Sequence, residues 1–330
     1  MTRFIVYGVG AIGGPLAAGL FEAGHDVVAV ARGRHYEAIA AHGLRVDTPE
    51  GPTVSRLPVV DHPCRLEFGA DDIVLLAMKS HHTPAAVGTL ADLARPGTPI
   101  ACVQNGVENE RAALRMFPHV YGVLVLTPGT HLSPGVVVAP SSPLRGVLDV
   151  GRYPHGVDAT AQEIASAFEA ARYSSHPTRD IQRWKYAKLL NNLVNAAEVV
   201  LGDDGVSGSA VVARARQEAL ACYAAAGIDH ASADEMRDRK RNIVTSKPVQ
   251  GREWQASSSL QSVARGTGSV ECDYLNGEIV LLGRRFGVPT PVNELLQRLA
   301  GDLARQRRQP GALSEQELLE LTVLEPSAPL

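Results

Sequence analysis

The sequence predicts an α/β chain in which a doubly wound parallel sheet precedes an all-α domain. Three observations carry this. The chain opens on an apolar strand-like run at residues 4–7, followed by a glycine-rich turn and a helical period over 16–23. Two later runs, 73–77 and 99–103, are apolar without interruption, as strands covered on both faces of a parallel sheet are. Beyond His176-Pro177 the strand signals nearly vanish and helical patterns dominate from 180 to 308. At 330 residues the chain can hold two domains, each with its own core. The expected division is 1–178 and 179–330.

The elements follow in order. After the first helix, Gly24 is placed to end it, and 26–30 reads as the second strand. Residues 120–126 read as another strand. Runs 135–138 and 146–150 look like shorter edge strands around the turn-rich Pro140-Ser141-Ser142-Pro143. In the second half, helices are expected over 180–201, 209–226, 231–243, 257–263, 272–286 and 293–306. Residues 325–330 read as a frayed tail.

Composition narrows the function. A formal net charge of -3 gives no general attraction to nucleic acid or anionic lipid. An aromatic content of 5% argues against a base-stacking surface. The basic runs Arg237-Asp238-Arg239-Lys240-Arg241 and Arg305-Gln306-Arg307-Arg308 are short and read as solvated helix faces. Cys64, Cys102, Cys222 and Cys272 form no C-x-x-C, so no zinc site or dithiol is expected, and Cys102 reads as core. Sparse cysteine fits a reducing cytoplasm. Met1-Thr2-Arg3 runs straight into a strand with no leader, and no run of about 18 apolar residues suggests a spanning helix.

The turn Gly8-Val9-Gly10-Ala11-Ile12-Gly13 lies between a strand and a helix, the context in which a G-x-G-x-x-G pattern points to a dinucleotide. Gly8 permits the tight turn, Gly10 lets a pyrophosphate approach the backbone, and Gly13 lets helix and strand pack closely. An NAD site usually places a carboxylate at the end of the second strand. Here the sequence is Val30-Ala31-Arg32-Gly33-Arg34, and Arg32 can form a bidentate pair with a 2′-phosphate. The expected cofactor is therefore NADP(H). Met78-Lys79-Ser80-His81-His82 and Gln104-Asn105-Gly106 follow the next two buried runs, so Lys79 and Asn105 can reach cofactor ribose and phosphates. His81-His82 has no acidic or Cys partner nearby, and loop histidines rather than a metal site are expected.

In 184–195, a helical projection puts Asn192 and Asn195 on the face of Lys188, with Leu189, Leu190, Leu193 and Ala197 opposite. Asn is a mediocre helix former. One ammonium and two amides side by side suit a polar anionic ligand, although a solvated helix face would also satisfy the pattern. The domain break just before this helix gives its polar face a route to an interdomain cleft, where ligands often bind.

Taken together, these residues resemble the ketopantoate reductase (2-dehydropantoate 2-reductase) family. The resemblance rests on Gly8–Gly14, Met78-Lys79-Ser80, Gln104-Asn105-Gly106, Trp184…Lys188-Leu189-Leu190-x-Asn192, and Ser257-Ser258…Glu271-Cys272-Asp273-Tyr274-Leu275-Asn276-Gly277. It implies a Rossmann-type N-terminal domain, a helical C-terminal domain and NADPH-dependent reduction of a 2-oxo acid. It implies Lys188 as proton donor and Asn192 and Ser258 as substrate contacts. Arg32, Lys79, Asn105 and Glu271 become cofactor-side or site-lining groups, with an exposed helix-start carboxylate as the other reading of Glu271. Three departures touch the substrate. Ala196 stands where the family often has a second Asn, with Asn195 one residue earlier. Ser262 stands where Asp is usual, and 264–270 is about one residue longer. The competing readings are a related 2-oxo or 3-hydroxy acid dehydrogenase and a non-catalytic NADP(H) sensor. The apolar C-terminal helices allow a homodimer or a closed core of their own.

Overall fold

The computed structural model describes residues 2–202, 206–249, 258–264, 266 and 268–324, and leaves aside the side chains of residues 132, 258, 264, 323 and 324. Two compact units emerge: Met1–Lys185 with Ser232–Trp254, and Tyr186–Ala231 with Gln255–Leu330.

The first unit runs β1 (Arg3–Tyr7), α1 (Gly13–Glu22), β2 (Asp26–Val30), α2 (Gly33–His42), then the hairpin β3 (Leu44–Thr48) and β4 (Gly51–Ser55). It continues through β5 (Val59–Val60), β6 (Asp72–Leu76), α3 (Thr83–Leu93), β7 (Ile100–Cys102), α4 (Asn109–Leu114) and β8 (Val120–Leu126). Then follow β9 (Thr130–Ser133), β10 (Val136–Val138), β11 (Val147–Arg152), α5 (Ala159–Ala170) and the start of α6 (Ile181–Asn192).

The main sheet has the order β11-β8-β7-β6-β1-β2-β5. Every pair is parallel except β11 on β8. The period of two in β1 sends Phe4 and Val6 into one core and Ile5 into another, so both sheet faces are covered. The chain leaves β1 for β2 on one side and later for β6 on the other. That reversal is the switch point outside whose carboxyl ends open α/β sheets bind ligands. The expected edge strand at 135–138 instead joins a second sheet, β4-β3-β10-β9, because the β3–β4 hairpin offers it a parallel partner in β3.

The second unit contains the end of α6, α7 (Val194–Leu201) and α8 (Ala210–Ala226). The chain then passes through α9 (Ala233–Lys240), which belongs to the first unit, and returns as α10 (Ser258–Ala264), α11 (Asn276–Phe286), α12 (Pro291–Arg305) and α13 (Glu315–Leu324). Two findings differ from the sequence-based expectation. The division falls at Lys185/Tyr186, inside α6, and α9 sorts with the sheet. Ion pairs explain the second: Arg239 grips Asp149 of β11 at 2.6 Å and Arg183 grips Glu235 at 2.8 Å. Arg239 is thus half-buried, unlike the solvated Arg237 and Arg241 beside it. The helix expected over 180–201 is interrupted at Leu193, after two consecutive Asn residues whose amides compete with helical hydrogen bonds.

Candidate active site

The strand ends of the first unit carry the glycine-rich loop. A side chain at Gly8 would meet the Met78 amide nitrogen at 2.7 Å, and its φ is +101°. One at Gly13 would meet the Gly8 carbonyl oxygen at 1.9 Å. Both glycines are demanded by the close passage of the chain. Gly10 differs, since a Cβ there would meet nothing within 4 Å. Beside that open space the N-terminus of α1 has no side-chain cap and no acid in its first turn, leaving its amides and dipole for an anion. Val9 turns its side chain into the core and Ile12 packs partly against it, which leaves their backbone toward the open space.

His35 of α2 holds this loop. Its Nε2 lies 2.6 Å from the Val9 carbonyl oxygen, and the Gly135 amide donates to its Nδ1 at 2.9 Å. That pattern assigns a neutral ring protonated on Nε2. Burial pushes the imidazole below its ordinary pKa, against the bond to Val9. The sequence reading missed His35, because its partners are a backbone carbonyl and an amide 100 residues away.

Arg32 lies two residues beyond β2, at the N-cap of α2, and is exposed. Its Nη2 lies 2.9 Å from Nε2 of His82, whose ring packs 4.2 Å from that of His81. Lys79 precedes the short turn Ser80–His82 and is half-buried. Across the next strand end, Gln104 donates to the Met78 carbonyl and to Thr83 Oγ1, both at 2.8 Å. Asn109 donates to the Asn105 carbonyl at 3.0 Å and accepts from Thr83 at 2.7 Å. The side-chain oxygen of Asn105 is buried with no hydrogen-bond partner. A buried acceptor of this kind points to a missing donor. The first unit therefore brings Arg32 to His82 and locks the loops bearing Lys79 and Asn105 together.

In the second unit, Lys188 is half-buried on α6. Asn192, one turn later on the same helix, is only 5% exposed, and its Nδ2 has no partner. Asn195 is buried too, on α7, and Leu193 between the two helices keeps helical torsions of φ -62° and ψ -23°. The face opposite Lys188 is core as expected at Leu189, Leu193 and Ala197, while Leu190 is only half-buried. Glu271 is 5% exposed at the start of the turn Cys272–Tyr274, which excludes the exposed-carboxylate reading. Ser258 opens α10, but its side chain, like the whole of Ser257, lies outside the described residues. Ser262 is buried. Among the described residues, no group of three or more His, Cys, Asp or Glu is arranged to hold a metal ion.

Residues 4–154 match the family described as ketopantoate reductase PanE/ApbA, and 180–304 match its C-terminal part. A 2-dehydropantoate 2-reductase of Pyrococcus horikoshii is 26% identical over 301 residues, which is 90% of this chain and 96% of that protein. The crystal structure of a PanE/ApbA family ketopantoate reductase from Ralstonia eutropha JMP134 is similar with a TM-score of 0.76 at 25% identity, covering 93% of this chain and 99% of that one. A D-mandelate dehydrogenase solved with NADH and anilino(oxo)acetate reaches a TM-score of 0.78 at 20% identity, over 93% and 99% of the two chains. At that identity the likeness is one of fold.

Proposed function

The chain belongs to the ketopantoate reductase PanE/ApbA family and is an oxidoreductase acting on a ketone/CH–OH pair; on that premise we propose that it reduces a small 2-oxo acid, 2-dehydropantoate first, with NADP(H) as cofactor and Lys188 as general acid. The observation that carries the reading is Asn192. Its buried, unpartnered amide nitrogen follows Lys188 by one helical turn. Leaving such a donor unsatisfied costs about 1–3 kcal/mol, and a substrate oxygen removes that cost.

The residues at the strand ends fit a nicotinamide dinucleotide. Gly10 leaves room for the pyrophosphate, the uncapped start of α1 offers it amides, and the Asn105 oxygen awaits a donor. The backbone from Gly8 through Val9, Gly10, Ala11 and Ile12 to Gly13 would hold the phosphates. Arg32, in a strand end without a carboxylate, would hold the 2′-phosphate that distinguishes NADP(H), with His82 steadying the guanidinium. Lys79 and Asn105 would hold the ribose and phosphates on the nicotinamide side. When bound, the cofactor supplies the hydride.

The protein's own part is to bind and to move one proton. The Lys188 ammonium donates a hydrogen bond to the ketone oxygen and gives up its proton as negative charge develops there, a contribution of roughly 10²–10⁴-fold. Asn192 orients that oxygen or the carboxylate. Ser258 contacts the carboxylate or a substrate hydroxyl, and Glu271 accepts from a substrate hydroxyl or the cofactor. Asn195, one residue before the position where the family often has its second Asn, supports a second reading: the same chemistry on a different 2-oxo acid. The reading places the enzyme in the cytoplasm. Among the described residues, no helix is long and apolar enough to cross a membrane.

NADPH oxidation across a panel of 2-oxo acids including 2-dehydropantoate tests the reaction. Turnover of at least one is expected, whereas tight NADP binding without turnover of any would favour a sensor. Lys188→Ala should lower kcat by roughly 10²–10⁴-fold with the cofactor still bound. Near-normal turnover by that variant would remove Lys188 as the acid.

A further inference from the structure

Lys185 lies one turn before Lys188 and has no part in the chemistry above. Its ammonium is 2.6 Å from Glu110 Oε1, and the two side chains are 2% and 0% exposed. It also donates to the Gln104 carbonyl at 2.9 Å and, more loosely, to the Val123 carbonyl at 3.3 Å. The ammonium thus meets one carboxylate and two backbone carbonyls. Burying two charges costs several kcal/mol per ion before their attraction is counted, and an apolar pair of similar volume is often as stable. Stability alone is therefore a weak reason for this pair.

An apolar pair could not grip a backbone carbonyl. The Gln104 carbonyl belongs to the residue immediately before Asn105. From the other side, the Gln104 side chain is tied to Met78 and Thr83, and the Asn105 carbonyl to Asn109. These bonds fix the loop's backbone and leave two buried side-chain oxygens without a partner, those of Gln104 and Asn105. The Gln104 amide nitrogen is already spent inside the loop, and Asn105 is the residue read as the cofactor contact. We propose that Lys185 and Glu110 are positioning residues that hold the 104–106 loop so that the Asn105 amide meets the nicotinamide side of the cofactor. This rests on the reading of Asn105 as a cofactor contact.

The test is a double-mutant cycle read by NADPH binding without substrate, using fluorescence titration of the full chain. Asn105→Ala and Lys185→Met should each weaken binding by about tenfold, and the double variant should be about as weak as either alone, because Lys185 acts through Asn105. A folded Lys185→Met protein with unchanged affinity would overturn the proposal. So would a double variant whose losses multiply in full. A pair that only stabilised the fold would lower the melting temperature and leave the affinity alone. If Lys185→Met does not fold, Lys185→Arg takes its place in the cycle. It keeps the charge against Glu110 but moves the donors, and a smaller loss that vanishes in the Asn105→Ala background is expected; no loss overturns the proposal. A wild-type chain that binds no NADPH would sink the functional reading and this proposal together.

Discussion

The glycine-rich loop and α6 are the two short segments proposed to bind ligands, and they are specified differently. In the loop the information is in backbone shape. Gly8 and Gly13 are required because the chain passes too close for any side chain, and Gly10 stands open. In α6 the backbone is ordinary and the information is in who meets each side chain. Lys185 is sealed against Glu110, while Lys188, three residues on, is half-buried. A loop of the first kind is readable locally. A helix of the second kind is readable only when its distant partners are known.

Substitutions within the loop should separate its two kinds of glycine, with the largest effect expected at Gly13. A Cβ at 1.9 Å from the Gly8 carbonyl oxygen has no flexible neighbour to displace. Gly13→Ala should therefore cost about 3 kcal/mol or more in unfolding free energy. Gly10→Ala should melt like the wild type, because nothing lies within 4 Å, yet bind NADPH about tenfold more weakly or worse. Thermal melts beside NADPH titrations decide it. Normal binding by Gly10→Ala would mean that the open space is not the cofactor's.

At the next strand end the comparison turns from shape to charge. Arg32→Ala should lower the ratio of kcat/KM with NADPH to that with NADH by about 10–100-fold, the worth of a charge-assisted pair with the 2′-phosphate. His82→Ala should lower it less, since His82 contacts the Arg32 guanidinium and is not itself proposed to meet the 2′-phosphate. A wild-type preference for NADH, or a ratio that Arg32→Ala does not move, would end the NADP assignment.

This contrast explains what the sequence could reveal. Strand, glycine turn and helix were legible because each depends on residues a few positions apart. That no carboxylate stands beside Arg32 was legible in the same way. Lys185 was not, because the carbonyl it holds on Gln104 lies 81 residues away. The helical character of α9 was legible, but its allegiance was not, since it rests on Arg239 and Asp149, 90 residues apart. The interruption at Leu193 had a local signal in Asn191-Asn192.

Asn192 tests whether α6 carries a ligand group at all. Asn192→Leu removes an amide whose nitrogen is buried and unpartnered. Replacing such a group by an apolar one of similar size should change stability by less than about 1 kcal/mol. KM for the 2-oxo acid should rise by about tenfold, the worth of one oriented hydrogen bond. If instead the protein is strongly destabilised and KM is unmoved, the amide belongs to the core and not to the substrate.

The smallest effect expected returns to the loop and adds a proton to its backbone logic. His35 accepts the Gly135 amide on Nδ1 and faces the Val9 carbonyl with Nε2, an arrangement that requires the neutral ring. Protonating Nδ1 abolishes the first bond and sets a cation beside the His131 ring, 4.3 Å away. Burial lowers the folded-state pKa below the ordinary 6.5. The unfolded chain therefore takes up this proton first as pH falls. The contribution of His35 to stability is complete above about pH 6.5 and declines below it, until the folded protein is protonated as well. Melting temperature should accordingly fall from about pH 7 to about pH 5 more steeply in the wild type than in His35→Leu, which has nothing to titrate at that position. NADPH affinity should weaken over the same interval in the wild type, because Val9 lies in the loop proposed to hold the phosphates. Parallel slopes in the two proteins would show that the Val9–His35–Gly135 contact does not govern the loop.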